Sequence, residues 1–175
     1  MNNDEIRIVT SSGNLNMNED DIDYIKAKLK GYDITFGKNV NKSIPEYNCP
    51  SIEDRKNDIE EAFLDKNVKA IMIARGGALS NQLLDEIDYE IIQKNPKIII
   101  GFSDATSLLN AIYSQTKLKT YYGPNFSVLA MRKGNDYTYA SGLMFAGRQS
   151  GVSPYHLATR ILQEQGNTGY GSCIS

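Results

Sequence analysis

The chain sets a single serine, Ser103, between a strand-like run and a helix-like run. Ile98-Ile99-Ile100 reads as a buried strand, and Leu108, Leu109, Ile112 and Tyr113 recur at the spacing of an inward helix face. Gly101 stands two positions before Ser103 and Ala105 two after it. That is the layout of a nucleophile elbow, a sharp turn that exposes a hydroxyl at the C-terminal end of a strand. Small flanking residues are required because the turn crowds strand against helix. The chemistry would be acyl transfer: the alcohol attacks a carbonyl once a base takes its proton, and N–H groups at the helix start face the anion that develops. The same letters also fit a plain helix start, with Ser103 or Asp104 as a cap.

The elements that would position this serine alternate between strand and helix as far as about Pro124. Ile6 to Thr10 is a first strand ending in Ser11-Ser12-Gly13, and Glu19 to Leu29 is a helix with Ile22, Ile25 and Leu29 on one face. Asp33 to Phe36 is a second strand, and Lys38 to Pro50 is a polar loop with two prolines. Ser51 is read as the cap of a helix through Leu64, with Glu53 and Asp54 in its first turn. Ala70 to Ala74 is a buried strand ending in Arg75-Gly76-Gly77, and Ser80 is expected to cap a helix carrying Leu83, Leu84 and Ile87. Alternation of this kind predicts an α/β fold, a parallel sheet flanked by helices, followed by a short helical tail. Ligands bind such sheets beyond the C-terminal strand ends. Three glycine-bearing turns fall there: 11–13, 75–77 and 101–104. Their convergence favours a catalytic Ser103 over a mere cap.

Composition removes several function classes. The 175 residues carry 19 Lys and Arg against 21 Asp and Glu, a net charge of -2, so no nucleic-acid footprint is expected. No apolar run approaches membrane-spanning length, and Met1-Asn2-Asn3-Asp4-Glu5 is no signal-peptide start, which predicts a cytoplasmic protein without a membrane partner. Cys49 and Cys173 stand far apart with no ligand-like spacing, so reduced thiols, no metal and no cofactor are expected. Assembly is left open between a monomer and a homodimer.

Five stretches, taken in order, carry a resemblance: Ala74-Arg75-Gly76-Gly77, Ser80-Asn81-Gln82-Leu83-Leu84, Asn95-Pro96-Lys97, Gly101-Phe102-Ser103-Asp104-Ala105-Thr106 and Tyr122-Gly123-Pro124-Asn125. Over about residues 6–137 the chain resembles the S66 serine peptidases, which include LD-carboxypeptidases of murein recycling and microcin-C immunity proteins. The resemblance implies an N-terminal α/β domain over 1–137, related to class I glutamine amidotransferases, and Ser103 as nucleophile. It implies an oxyanion hole from the backbone N–H of Asp104 and of the Gly76-Gly77 turn, Gly77 in particular, at roughly 3–4 kcal/mol per donor. Arg75 and Gly76 are expected to contact substrate, a small peptide or muropeptide, with Arg75 anchoring its carboxylate.

Family members place a glutamate and then a histidine in a second domain after the serine. Here the single histidine is His156. A Ser103–His156–Glu164 relay would run in the reverse order. Its last two members are eight residues apart on one predicted helix, about 12 Å along its axis, too far for direct contact. The chain is therefore expected to lack the partner residues of the second domain and to be inactive, or nearly so, by itself.

Residues 138–175 are read as a helical fragment rather than a complete domain. Ser153 caps and Pro154 opens a helix buried through Leu157, Ile161 and Leu162. The stretch resembles the start of a glycoside hydrolase family 73 glucosaminidase, which would make Glu164 a general acid. Three functions thus stand side by side: an LD-carboxypeptidase-type serine hydrolase, an inactive α/β domain that binds a ligand or partner, and a peptidoglycan glucosaminidase fragment.

Overall fold

The computed structural model describes residues 4–132. The chain divides after Met131 into two units, and apart from Arg132 all that follows concerns the first. Five strands form one all-parallel sheet: β1 Asp4–Val9, β2 Tyr32–Phe36, β3 Val68–Ile73, β4 Ile98–Gly101 and β5 Tyr121–Tyr122. Their order is β2-β1-β3-β4-β5. The chain first runs outward from β1 to β2, then crosses back to place β3 on the other side of β1. The strand order reverses between β1 and β3, where open α/β sheets form their binding crevice.

Strand alternation divides the core into two layers. Val9, Ile71, Ile73 and Ile99 face α2 (Ile52–Leu64), α3 (Tyr89–Lys94) and α4 (Ala105–Thr116), packing with Ile59, Phe63, Ile92, Leu108 and Ile112. The alternate residues Ile6, Ile8, Met72 and Ala74 pack with Ile25 of α1 (Glu19–Lys28) and with Phe126 of the closing 3-10 segment Phe126–Arg132. Burial on both faces over Ile71, Met72 and Ile73 explains why β3 reads as a continuous apolar run, whereas in β4 Ile99 and Gly101 are buried and Ile98 stays exposed. Local signals set most helix starts. Ser51 accepts a hydrogen bond from the Asp54 N–H at 3.1 Å, as its capping role requires. Among the described residues no helix is long and apolar enough to cross a membrane, and no cluster of His, Cys, Asp or Glu could hold a metal.

One expected element is different. Ser80 caps nothing: it lies inside a single 3-10 turn, Ser80–Leu83, and its hydroxyl donates to Ser11 Oγ at 2.8 Å. The true helix begins later, where Asp88 caps α3 by accepting from Glu90 N–H at 2.8 Å. Leu83 and Ile87 are buried as expected, but by tertiary contact and not by a helical repeat.

The 37–50 loop is pinned by Asp58, a buried carboxylate of α2. It accepts from the Asn39 N–H at 2.9 Å and from Asn39 Nδ2 at 2.7 Å. Burial raises its pKa above the ordinary 3.8, against the lowering effect of those hydrogen bonds. The folded state therefore holds this proton more tightly than the unfolded state, and the group's contribution to stability falls as pH rises from about 3.8 through the raised value. Asp58→Asn abolishes the titration while keeping one acceptor. Its stability relative to the parent is expected to improve with rising pH across that window and then level off. Urea unfolding of both proteins at stepped pH checks this, and a pH-independent difference would refute it.

Candidate active site

Ser103 sits at the β4-to-α4 turn with φ +66°, one of three non-glycine residues with positive φ among those described. It is exposed, between buried Gly101 and buried Ala105. The crowding that demanded small flanks is visible. A Cβ on Gly101 would lie 2.7 Å from Ile73 Cγ1 and 3.2 Å from Ala105 Cβ. The turn is braced by Asn125, 1% exposed, which accepts from the Phe102 N–H at 2.9 Å and donates to the Phe102 carbonyl at 3.3 Å. Helix α4 starts at once, with Thr106 N–H donating to Ser103 O at 3.1 Å.

The 75–80 loop comes alongside. A Cβ on Gly76 would meet Ser103 Oγ at 3.1 Å and Asn125 Nδ2 at 3.5 Å, so only glycine permits this approach without displacing the serine. The loop is held by Asp104. Although Asp104 occupies the N-cap position of α4, its side chain makes no bond to its own helix. Its Oδ1 accepts from Gly77 N–H at 2.8 Å, and its Oδ2 from Leu79 N–H at 3.1 Å and Ser80 N–H at 3.2 Å. The Gly77 N–H, expected from the sequence to meet an oxyanion, is thus engaged by this carboxylate. The N–H groups of Gly76 and Asp104 make no hydrogen bond among the described residues.

The loop after β1 completes the floor. Ser12 Oγ accepts from Leu79 N–H at 2.9 Å and occupies the space a Gly77 side chain would need. Buried Arg55 reaches up from α2, its Nη1 donating to Ser11 O at 2.8 Å and to Leu79 O at 3.0 Å. An open cleft of about 440 Å³ lies at the reversal of strand order, lined by Ser12, Asn14, Tyr47, Cys49, Arg75 and Gly77 among others. Arg75 is exposed on its wall and forms no ion pair among the described residues.

The structure thus gathers Arg75, Gly76, Gly77, Ser103 and Asp104 into one region. His156 and Glu164, like the glucosaminidase-like stretch and the reversed relay, lie outside the described residues. Among the described residues no side chain hydrogen-bonds to Ser103 Oγ. The sequence reading missed Arg55 altogether, offered the Asp104 side chain only as a helix cap and gave that of Asn125 no role. Asn125 had one signal, its place in the Tyr122-Gly123-Pro124-Asn125 stretch.

Residues 6–123 match the model of the LD-carboxypeptidase N-terminal domain, Peptidase_S66. The chain belongs to the S66 peptidase family. Among curated proteins it is similar to "Putative carboxypeptidase YocD" of Bacillus subtilis, 46% identical over 139 residues, which is 77% of this chain and 42% of that protein. It is also similar to the microcin C7 self-immunity protein MccF of Escherichia coli, 38% identical over 144 residues, 79% of this chain and 41% of that one. Among solved structures, an MccF-like protein from Bacillus anthracis superposes with a TM-score of 0.72 at 41% identity, covering 79% of this chain and 43% of that chain. The chain spans about two fifths of the length of these S66 relatives.

Proposed function

We propose that this S66 domain carries the nucleophile of an LD-carboxypeptidase-type serine hydrolase, and that the nucleophile is Ser103. The observation that supports this reading best is an exposed serine at φ +66° whose Oγ faces the backbone of Gly76. A non-glycine residue in that conformation is held there by its surroundings, and such strain gathers at functional sites. In the proposed reaction Ser103 Oγ bonds to the carbonyl carbon of the scissile amide while a base takes its proton. The N–H groups of Gly76 and Asp104 receive the oxyanion. Collapse breaks the C–N bond, the departing amine takes up the proton, and water then releases the acyl group by the same steps. Arg75 binds the substrate's terminal carboxylate. The base comes from outside the described residues.

The substrate class follows from relatives whose names carry it. One Bacillus subtilis relative is named as a murein peptide carboxypeptidase, and a Pseudomonas aeruginosa relative as a murein tetrapeptide carboxypeptidase. MccF has been solved with aminoacyl sulfamoyl nucleosides. A murein peptide ending in an L–D bond, or a small peptide conjugate, is therefore the proposed substrate. Incubation with purified muropeptides followed by mass analysis tests this. Loss of one terminal amino acid supports the proposal. A cut between sugars would instead favour a glucosaminidase acting through Glu164. Unchanged muropeptides, together with failure of Ser103 to react with a fluorophosphonate, would favour a domain that only binds.

A further inference from the structure

One peptide group beside the site lies between a buried cation and a carboxylate. The carbonyl of Leu79 accepts from Arg55 Nη1 at 3.0 Å, and the N–H of Ser80, across the same peptide bond, donates to Asp104 Oδ2 at 3.2 Å. Arg55 is 1% exposed, yet every acceptor it reaches is neutral: the carbonyls of Ser11, Leu79 and Ser51, and Gln82 Oε1 at 2.7 Å. Among the described residues no carboxylate lies within ion-pair distance of it, and Asp104 pairs with no Lys or Arg. A guanidinium buried without a counter-charge carries a large desolvation cost. Burial indeed pulls the Arg55 pKa down, while Cys49 and Asp104 push it back up.

The peptide between the two charges is oriented to join them. Its positive N–H end faces the carboxylate and its negative C=O end faces the guanidinium. Hydrogen bonds linked in this way polarise and strengthen one another. The same carboxylate holds the N–H groups of Gly77 and Leu79, and the same Nη1 holds the carbonyl of Ser11. The loops after β1 and β3 and the start of α4 are therefore tied together at one point. The residue that follows the serine offers its own N–H to the site and, with its side chain, fixes the segment that contains Gly76.

We propose that Arg55 and Asp104 form a charge clamp across the Leu79–Ser80 peptide, and that this clamp positions the Gly76-Gly77 turn beside Ser103 Oγ. Both side chains are positioning groups that act through the turn's backbone. The proposal rests on the reading of Ser103 as nucleophile, and its test separates the two.

Amide hydrogen exchange, measured residue by residue by NMR on the full 175-residue chain, reads the clamp directly. Asp104→Asn weakens the acceptor while keeping its shape. Exchange at Gly77, Leu79 and Ser80 is expected to accelerate roughly 10- to 100-fold, the loss that follows when a charged acceptor becomes neutral. Arg55→Met is expected to accelerate the same amides, and Arg55→Lys to restore part of the protection. The sheet amides of Ile8 and Met72 are the internal reference. Loop exchange within about twofold of the parent in Asp104→Asn, or acceleration of loop and sheet together, overturns the clamp. If Arg55→Met fails to fold, Asp104→Asn alone decides. A fluorophosphonate probe gives the second readout: both clamp variants are expected to slow adduct formation on Ser103 by about tenfold or more, with probe binding changed less. An unslowed Asp104→Asn overturns positioning even where exchange has risen. If the parent chain forms no adduct, the reading of Ser103 fails on that ground, and exchange still decides whether the clamp holds the turn.

Discussion

Ser103→Ala is expected to eliminate the fluorophosphonate adduct and any release of a terminal amino acid. In the proposed reading the base comes from outside the described residues, so adduct formation by the parent chain is expected to be slow, driven by the proposed oxyanion donors and the helix start. Sites stripped of triad members keep a residual acceleration of about 10³–10⁴ over water. Prolonged exposure to the probe and peptide mapping by mass spectrometry should find the parent's adduct on Ser103, and none on the alanine variant. An adduct on other serines alone would refute the assignment. A companion variant separates strain from chemistry. A residue with a Cβ costs about 1–2 kcal/mol in the left-handed region, and Ser103 sits there at φ +66°. Ser103→Gly relieves that cost, offset in part by the freer unfolded chain, so a gain of up to about 1 kcal/mol is expected. Greater stability with no reactivity would mark a conformation kept for function. A glycine variant less stable than the alanine variant would show that the turn stores no strain.

Asn125→Ala is expected to cause a comparably large loss, this time in stability as well as reactivity. Asn125 spans both polar groups of the Phe102 peptide units, at 2.9 and 3.3 Å, and is itself 1% exposed. Removing the side chain deletes two hydrogen bonds and leaves the Phe102 N–H without a partner. Such an unsatisfied group costs about 1–3 kcal/mol beyond the bonds lost, so roughly 3 kcal/mol in all is expected. That corresponds to a fall in melting temperature of roughly 10 °C for a domain of this size. The Ser103 adduct should form more slowly even well below the melting transition, because the residue before the serine has lost its brace. Asn125→Asp keeps one acceptor and is expected to lie between. Calorimetry and probe labelling of the three proteins check this. A melting point within about 2 °C of the parent would show that the bonds to Phe102 carry little weight.

Much of this site is legible locally because its demands are local. Gly101 and Ala105 are small because strand and helix meet within four residues, and that crowding can be read from spacing alone. Three β-branched residues at 98–100 announce a strand, and it forms with Ile99 buried, although Ile98 stays exposed at its start. Ser51 followed by Glu53 and Asp54 announces the start of α2, and the cap is made as read. The expectation for Ser80 failed for the opposite reason. Serine before an apolar run fits a cap, but its hydroxyl and its N–H were claimed by Ser11 and Asp104, 69 and 24 residues away.

The sequence by itself determined the parallel α/β architecture, the turn that exposes Ser103 and membership of the S66 family. The causes are short-range: side-chain volume, β-branching and the period of apolar residues. Only the tertiary structure decided how the polar groups are paired. Asp104 could have capped its own helix, as aspartates at that position do. It turned instead to Gly77, Leu79 and Ser80, because β3 and β4 are neighbours in the sheet and bring the loop that follows β3 against the start of α4. Arg55 reads in sequence as one more charged residue of a solvated helix face. It is buried because α2 packs across β1 and β3, where the carbonyls of Ser11 and Leu79 have no partner from the sheet. A buried donor or acceptor must be satisfied by whatever the fold brings within reach, and what comes within reach is set by strand order, which no local pattern encodes.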